Sequence, residues 1–140
     1  MLRLLLLTLA LLLAGCDSRP QFVNTDISEA GYARDFALTD HNGKPRTMAD
    51  FRGKAVVIFF GYTQCPDVCP TTMTGMAEAM KLLGGDAAKV QVLFVTVDPE
   101  RDTQQLLAQY VPVFNPSFLG LYADAQTIAR TAQEFRVVYK

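Results

Sequence analysis

Two cysteines near the middle of the chain are the residues best suited to chemistry. Cys65 and Cys69 lie four positions apart in the segment CPDVC, where a predicted helix begins. Side chains at i and i+4 of a helix lie roughly 5–6 Å apart, so the two sulfurs can share one ligand or one bond. The spacing therefore predicts a structural disulfide, a redox-active dithiol or a soft-metal site, and by itself it leaves all three open.

Each alternative has a physical argument. A disulfide across so short a loop removes little conformational entropy from the unfolded chain, so it would stabilise the fold weakly. A thiol at a helix N-terminus has a lowered pKa and is a better nucleophile, as a redox dithiol requires, although the usual redox spacing is Cys-x-x-Cys. Two thiolates on a short loop suit Cu(I), which prefers soft sulfur ligands.

A third cysteine, Cys16, ends an apolar N-terminal segment. Residues 4–14 (LLLLTLALLLA) follow Arg3, and as a helix they are far shorter than the roughly 30 Å hydrocarbon layer of a membrane. Such a segment is typical of an export signal. Residues 13–16 (LAGC) resemble the lipobox of bacterial lipoproteins. The resemblance implies cleavage before Cys16, diacylation of its thiol, and, with Asp17, a lipid-anchored protein at the bacterial inner membrane that faces the periplasm.

The remaining candidate ligands are few. With Cys16 lipidated, two free cysteines and the single histidine are left, which excludes a closed Cys/His zinc site because such a site needs four ligands. His41 lies in the turn sequence DHNG, where we expect it to be exposed rather than a ligand. Three methionines recur at helical spacing, where we expect core packing rather than thioether ligation: Met73, Met76 and Met80.

The composition excludes several classes of protein. With 140 residues, 13 basic and 14 acidic side chains, the chain has no basic surface for nucleic acid. Half of the residues are hydrophobic and 19% are charged, which excludes a disordered chain. The length allows one ordinary domain. We therefore predict a signal peptide at 1–15, a lipid-anchored tether at 16–34 and one domain at 35–140.

Within that domain, predicted strands and helices alternate. The runs AVVIFF at 55–60 and VQVLFVTV at 90–97 have the length and composition of strands buried on both faces. The alternation predicts an α/β fold with a mostly parallel central sheet flanked by helices. Further elements are predicted as follows: strands at 36–39, 118–122 and 137–139, an Asn-Gly hairpin turn at 42–43, a helical turn at 48–51, and helices at 71–83, from Asp102 to about Phe114 with strain near Pro112, and after Asp124.

The carboxyl ends of parallel strands meet at one edge of a sheet, where α/β proteins bind their ligands. The loop with Cys65 and Cys69 follows one buried strand, and the loop that starts at Asp98 follows the next. We therefore expect the cysteine loop and the loop that starts at Asp98 to lie at the same edge of the sheet. In the same loop, Asp102 is followed three residues later by Gln105, which predicts an acidic capping box for the next helix.

Residues 22–140 resemble the Sco/SenC family. The resemblance rests on DFALTDHNGK at 35–44, FRGK at 51–54, FGYTQCPDVCP at 60–70 and DPERDT at 98–103. It implies a thioredoxin-like fold, membrane anchoring, and delivery of copper to the copper-bearing subunit of cytochrome c oxidase during assembly of its binuclear copper centre. It also implies that Cys65 and Cys69 bind the copper ion and that Asp98 lies close to the metal.

In one respect the chain departs from that family. The family's third copper ligand is a histidine well downstream, and neither His41 nor any later residue of this sequence matches it. The resemblance implies that the last strand pair and helix of the domain are missing with it, which would expose an apolar sheet edge.

Our leading hypothesis is a metallochaperone rather than an enzyme, whose dithiol–disulfide state controls copper loading. The alternatives are a periplasmic thiol-disulfide oxidoreductase that keeps the copper-site cysteines of a partner reduced, and a lipoprotein scaffold with an inert disulfide.

Overall fold

The computed structural model describes residues 23, 25, 26 and 29–139. The apolar segment, Cys16 and most of the predicted tether lie outside the described residues. Gly31–Lys140 group as one unit, and the following description concerns that unit. Among the described residues, no helix combines the length and the apolar character that crossing a membrane requires.

In the described part of the chain, five strands form one mixed sheet: β1 Leu38–Asp40, β2 Pro45–Arg46, β3 Ala55–Gly61, β4 Val90–Thr96 and β5 Leu119–Tyr122. Their order across the sheet is β2-β1-β5-β4-β3. Strand β3 is parallel to β4, and β4 is parallel to β5, so the central strands are parallel as predicted. Strands β1 and β2 form an antiparallel hairpin whose turn contains Gly43 at φ 82°, a conformation that glycine adopts without strain.

Among the described residues, three α-helices flank the sheet: α1 Val68–Leu83, α2 Gln104–Phe114 and α3 Ala125–Glu134, with 3-10 helices at Met48–Phe51 and Gly84–Lys89. Helix α1 begins three residues before the predicted start, so that its first turn includes Cys69. Helix α2 continues through Pro112 to Phe114, because a proline in a last turn removes only one hydrogen bond. The prediction of a strand at 137–139 is wrong, because these residues have no regular secondary structure.

Strand β4 is the centre of two hydrophobic cores, one on each face of the sheet. Phe94 points into the core that contains side chains from α1 and α2, whereas Leu93 points into the core that contains Ile128 of α3. The alternation of successive side chains along a strand produces this arrangement. Met73 and Met80 are buried in the first core and Met76 packs against it, which confirms that the methionines are packing residues.

Strand β3 is less buried than its sequence predicts. Its outer side pairs with no strand among the described residues. Ala55 is exposed and Val57 is 38% exposed, so the prediction of burial on both faces is wrong for β3. The same prediction is confirmed for β4, whose residues after Val90 are all buried. The difference follows from position, because β4 lies between two strands and β3 lies at an edge.

Candidate metal and redox site at the cysteine loop

The two cysteines lie at the carboxyl end of β3. The chain leaves β3 at Gly61 and makes a turn in which the Cys65 N–H donates to the Tyr62 carbonyl over 3.2 Å. Cys65 therefore lies in the loop and Cys69 in the first turn of α1. Both are free thiols and both are buried, with 7% and 3% of their surface exposed.

The two thiols differ in pKa because Cys65 accepts hydrogen bonds, whereas Cys69 donates one to Cys65. The backbone N–H of Cys69 donates to Cys65 Sγ over 3.3 Å. The Cys69 thiol also donates to that sulfur, and with further donors from Asp67 and Tyr62 it lowers the pKa of Cys65. Burial raises the pKa of Cys69 to about 11, and its role as donor to Cys65 adds to this effect. Cys65 is therefore the more acidic thiol of the pair and Cys69 the less acidic one.

A glycine makes room for the second sulfur. A Cβ atom at Gly61 would lie 3.0 Å from ring atoms of both Phe59 and Phe94, and 3.2 Å from Cys69 Sγ. Contacts of this length are tighter than nine in ten real Cβ contacts, so a larger residue at this position would displace the thiol or the rings by a few tenths of an ångström. The absence of a side chain at Gly61 thus allows Cys69 to pack directly above the end of β3.

A tyrosine hydroxyl lies buried on the helix side of the same region. Tyr110 packs against Phe94 with ring centroids 5.7 Å apart, and its hydroxyl has no hydrogen-bond partner among the described residues. Burial raises its pKa, and electrostatic interaction with the thiolate forms of the neighbouring cysteines raises it further. Tyr110 therefore keeps its proton close to the cysteine pair.

Asp98 lies at the same edge of the sheet, as the sequence predicts. Its carboxylate pairs with Arg101. With Tyr62, Val97, Arg101 and Tyr139 it lines a cavity of about 380 Å³. Tyr62 is the residue whose hydroxyl reaches Cys65, so one cavity connects the Asp98 loop with the cysteine loop.

Asp102 does not cap α2, and that prediction is wrong. The N-cap is Thr103, whose side chain accepts the Leu106 N–H over 3.2 Å. Asp102 is instead 1% exposed and accepts the Thr63 N–H over 3.0 Å and the Thr63 hydroxyl over 2.5 Å. The Thr96 hydroxyl donates to it over 2.6 Å. Sequence reasoning missed this network, because Thr63 and Asp102 are 39 residues apart and only the fold brings them together.

The prediction that His41 is exposed is also wrong. Only 8% of its surface is accessible, and its Nδ1 accepts the Gly120 N–H over 3.0 Å. His41 follows β1, and β5 and β4 separate β1 from β3. Three strand spacings amount to about 14 Å, so His41 belongs to the packing of the sheet and not to the cysteine site.

No described histidine, aspartate or glutamate forms a metal-binding group of three with the cysteine pair. Across the described part of the chain, no group of three or more histidine, cysteine, aspartate or glutamate side chains is arranged to hold a metal. From these residues, a bound ion would have two thiolates as its ligands.

Comparison with known proteins identifies the family. The sequence profile of the SCO1/SenC family matches residues 24–140. The chain is 45% identical to "Protein SCO2 homolog, mitochondrial" of Bos taurus over 107 residues, which cover 75% of this chain and 40% of that protein. It is 37% identical to the "SCO2-like protein" of Rickettsia felis over 105 residues, which cover 75% of this chain and 51% of the relative. The chain thus spans about half or less of the length of these relatives.

A solved structure supports the same relationship. The structure of Bradyrhizobium japonicum ScoI with copper bound is similar with a TM-score of 0.72 and 45% identity, over 76% of this chain and 68% of that one. The fold is thioredoxin-like, as the sequence predicts.

These relatives correct the predicted location. A lipid-anchored protein at the bacterial inner membrane, facing the periplasm, is not what they indicate, because the bovine, mouse and human relatives are named as mitochondrial. The lipobox resemblance depends on four residues outside the described ones, and a short apolar segment does not by itself specify a membrane. The profile match, the identities and the shared fold together show that this chain belongs to the SCO1/SenC family.

Proposed function

We propose that this protein is a metallochaperone that binds one Cu(I) ion between Cys65 and Cys69 and delivers it to the copper-bearing subunit of cytochrome c oxidase during assembly. The observation that carries the proposal is the state of the pair: two buried free thiols at the start of a helix, linked by the Cys69 N–H bond to Cys65 Sγ. Solved relatives are described with copper bound, which agrees with this assignment.

The chemistry of the pair suits Cu(I). Binding releases two protons, according to Cu⁺ + 2 RSH → Cu(SR)₂⁻ + 2 H⁺. Cys65 gives up its proton readily, because hydrogen bonds from Cys69 and its neighbours lower its pKa. The proton of Cys69, with a pKa of about 11, leaves only when the metal displaces it, so binding is coupled to pH. A disulfide supplies no thiolate, so oxidation of the pair would prevent loading.

The segment between the cysteines is suited to meet a partner. Pro66, Asp67 and Val68 are exposed, and Val68 shows 64% of its surface. Copper held beneath this segment lies close to the molecular surface. We propose that the oxidase subunit contacts this segment when its own thiols take over the ion by ligand exchange.

A transfer assay tests the proposal. The reduced full chain is loaded with Cu(I) and mixed with the copper-free, copper-binding domain of the oxidase subunit, and the copper content of both proteins is measured after separation. We expect copper to move from the wild type, and the Cys65→Ser/Cys69→Ser variant to carry none. Retention of all copper by the wild type in the presence of a competent acceptor would contradict delivery.

A thiol-disulfide oxidoreductase is the second candidate, favoured by the unequal acidity of the pair. The Cys65 thiolate would attack a partner disulfide and release one partner thiolate. Cys69, after losing its proton, would then attack Cys65 in the mixed disulfide, leaving a reduced partner and a Cys65–Cys69 disulfide. Cys69→Ser would trap the mixed disulfide. Failure to trap any partner, together with copper transfer, would exclude this candidate.

Acylation of Cys16 and the division into a leader at 1–15, a tether at 16–34 and a domain at 35–140 stay predictions. The intact mass of the purified protein tests them together. A chain that starts at Cys16 and carries acyl groups would support them, and an unmodified chain that starts at Met1 would contradict them.

A further inference from the structure

A buried carboxylate ties the cysteine loop to the neighbouring loop. Asp102 accepts two hydrogen bonds from Thr63 and one from the Thr96 hydroxyl. That hydroxyl in turn accepts the Asp98 N–H over 3.0 Å, so its own proton points to Asp102. No arginine or lysine among the described residues forms an ion pair with Asp102. A buried carboxylate without a cation is costly unless its hydrogen bonds are satisfied, and here neutral donors satisfy it.

Thr63 is the residue through which this carboxylate reaches the cysteines. It lies inside the turn that the Cys65 N–H closes onto the Tyr62 carbonyl. The entry to the turn is fixed as well, because the Val97 N–H donates to the Gly61 carbonyl over 2.8 Å. Asp102 therefore holds the inner residue of a turn whose last residue is Cys65.

The other end of the network is equally fixed. Thr96 is the last residue of β4 and pairs in register with Gly61 at the end of β3. The Asp102 N–H donates to the Asp98 carbonyl over 2.9 Å. The carboxylate thus joins the end of β3, the end of β4 and the entry to α2 at a single point.

We infer that Asp102 is the positioning residue of the cysteine site, and that it acts through Thr63 to hold the Cys65 sulfur where it meets Cys69. The inference rests on the proposed function for its consequence, namely that a preorganised thiol pair binds Cu(I) without first ordering the loop. Ordering a loop on binding reduces affinity, and sites whose ligands are held by surrounding hydrogen bonds avoid that cost.

Two kinds of substitution distinguish the effect of the Asp102–Thr63 hydrogen bonds from the effect of the negative charge of Asp102. In Asp102→Asn, the amide oxygen can accept hydrogen bonds from the Thr63 N–H and the Thr96 hydroxyl. The amide nitrogen can donate to the Thr63 oxygen, so the hydrogen bonds are kept without the charge. Asp102→Ala removes the hydrogen bonds to Thr63 and Thr96. Thr63→Ser keeps both hydrogen bonds, whereas Thr63→Val keeps the shape and the N–H bond and loses the hydroxyl. Thr103→Ala is the matched control, because it removes the helix cap in the same loop.

Two equilibria of the full chain serve as readouts. The first is the exchange of the dithiol with glutathione disulfide, protein(SH)₂ + GSSG ⇌ protein(S–S) + 2 GSH, whose constant measures the effective concentration of the two thiols. The second is Cu(I) affinity, measured against a chelator. Since hydrogen bonds to a buried charged group are strong, we expect both constants to fall by about tenfold or more in Asp102→Ala and Thr63→Val. We expect them to stay within about threefold of wild type in Asp102→Asn, Thr63→Ser and Thr103→Ala.

The comparison with Thr103→Ala decides between positioning and general stability. If Thr63→Val lowers the melting temperature as Thr103→Ala does and leaves both constants at the wild-type value, the inference is wrong. Thr63→Val also provides the test if Asp102→Ala fails to fold. If the wild type binds no Cu(I), the proposed function fails, and the glutathione equilibrium alone decides the role of Asp102.

Discussion

The Cys69 backbone N–H donates to the Cys65 sulfur over 3.3 Å. This bond connects the first turn of α1 to a side chain in the loop before it. The N-terminus of a helix carries partial positive charge from its unpaired N–H groups, and these groups stabilise a thiolate. With a spacing of four residues, the Cys65 sulfur accepts a hydrogen bond from the N-terminus of the helix. The buried Cys69 thiol lies in the first turn and donates a hydrogen bond to the same sulfur.

The two thiols should react at different pH values. The Cys69 thiol and other donors lower the pKa of Cys65. The rate of its alkylation by iodoacetamide should therefore rise at a lower pH than the rate for an ordinary cysteine, whose pKa is about 8.5. Cys69, with a pKa of about 11, should stay unmodified at neutral pH. Peptide mapping by mass spectrometry after limited alkylation measures both rates. Cys69→Ala removes the donor and should shift the Cys65 profile upward; faster labelling of Cys69 than of Cys65 would refute the assignment.

Two glycine substitutions should have opposite effects on stability. Gly61→Ala places a Cβ 3.0 Å from Phe59 and Phe94 and 3.2 Å from Cys69 Sγ, and such overpacking costs about 1–3 kcal/mol of unfolding free energy. Gly75 lies within α1, and a Cβ there meets nothing within 4 Å. Gly75→Ala should therefore stabilise the protein by about 0.5–1 kcal/mol. Urea unfolding measures both changes, and equal effects would argue against close packing at Gly61.

Replacement of Asp98 should have a small effect on Cu(I) binding. Its carboxylate already pairs with Arg101, and a hard oxygen ligand suits Cu(I) poorly. We expect Asp98→Asn to change the Cu(I) dissociation constant by less than about threefold, whereas Cys65→Ser should abolish tight binding. Chelator competition compares the two variants directly. A loss of Cu(I) affinity in Asp98→Asn as large as the loss in Cys65→Ser would indicate that Asp98 is a copper ligand and would contradict this prediction.

Stability should depend on pH through His41. Burial lowers the pKa of His41, and protonation of Nδ1 would remove the acceptor of the Gly120 N–H. The unfolded chain binds this proton near pH 6.5 and the folded chain does not, so the free energy of unfolding should fall as the pH drops below about 6.5. His41 is the single histidine. Denaturant titrations of His41→Asn should show a flatter profile between pH 6.5 and pH 5; identical profiles would contradict this role.

Features that depend on local pattern could be predicted from the sequence. The run at 90–97 is apolar at nearly every position, and it forms β4 between two neighbours. The helix that contains Cys69 and the loop that begins at Asp98 follow predicted strands, so their common edge of the sheet could be inferred.

Features that depend on strand neighbours or distant partners could not be predicted. The run at 55–60 looks like the run at 90–97, yet β3 lies at an edge, which only the strand order reveals. His41 occurs in a typical turn sequence and is buried by β5, to which the sequence offers no pointer. Asp102 has a capping pattern, but its carboxylate turns to Thr63 and Thr96, and Thr103 serves as the cap instead.

Copper binding by Cys65 and Cys69 is tested by an anaerobic titration of Cu(I) into the reduced full chain with a competing chelator. The Cys65→Ser/Cys69→Ser variant is titrated beside it, and circular dichroism first confirms that both proteins are folded. We expect tight binding of one ion per chain to the wild type and loss of this binding in the variant. A folded wild type that binds copper no more tightly than the variant would contradict the claim that Cys65 and Cys69 form a copper site.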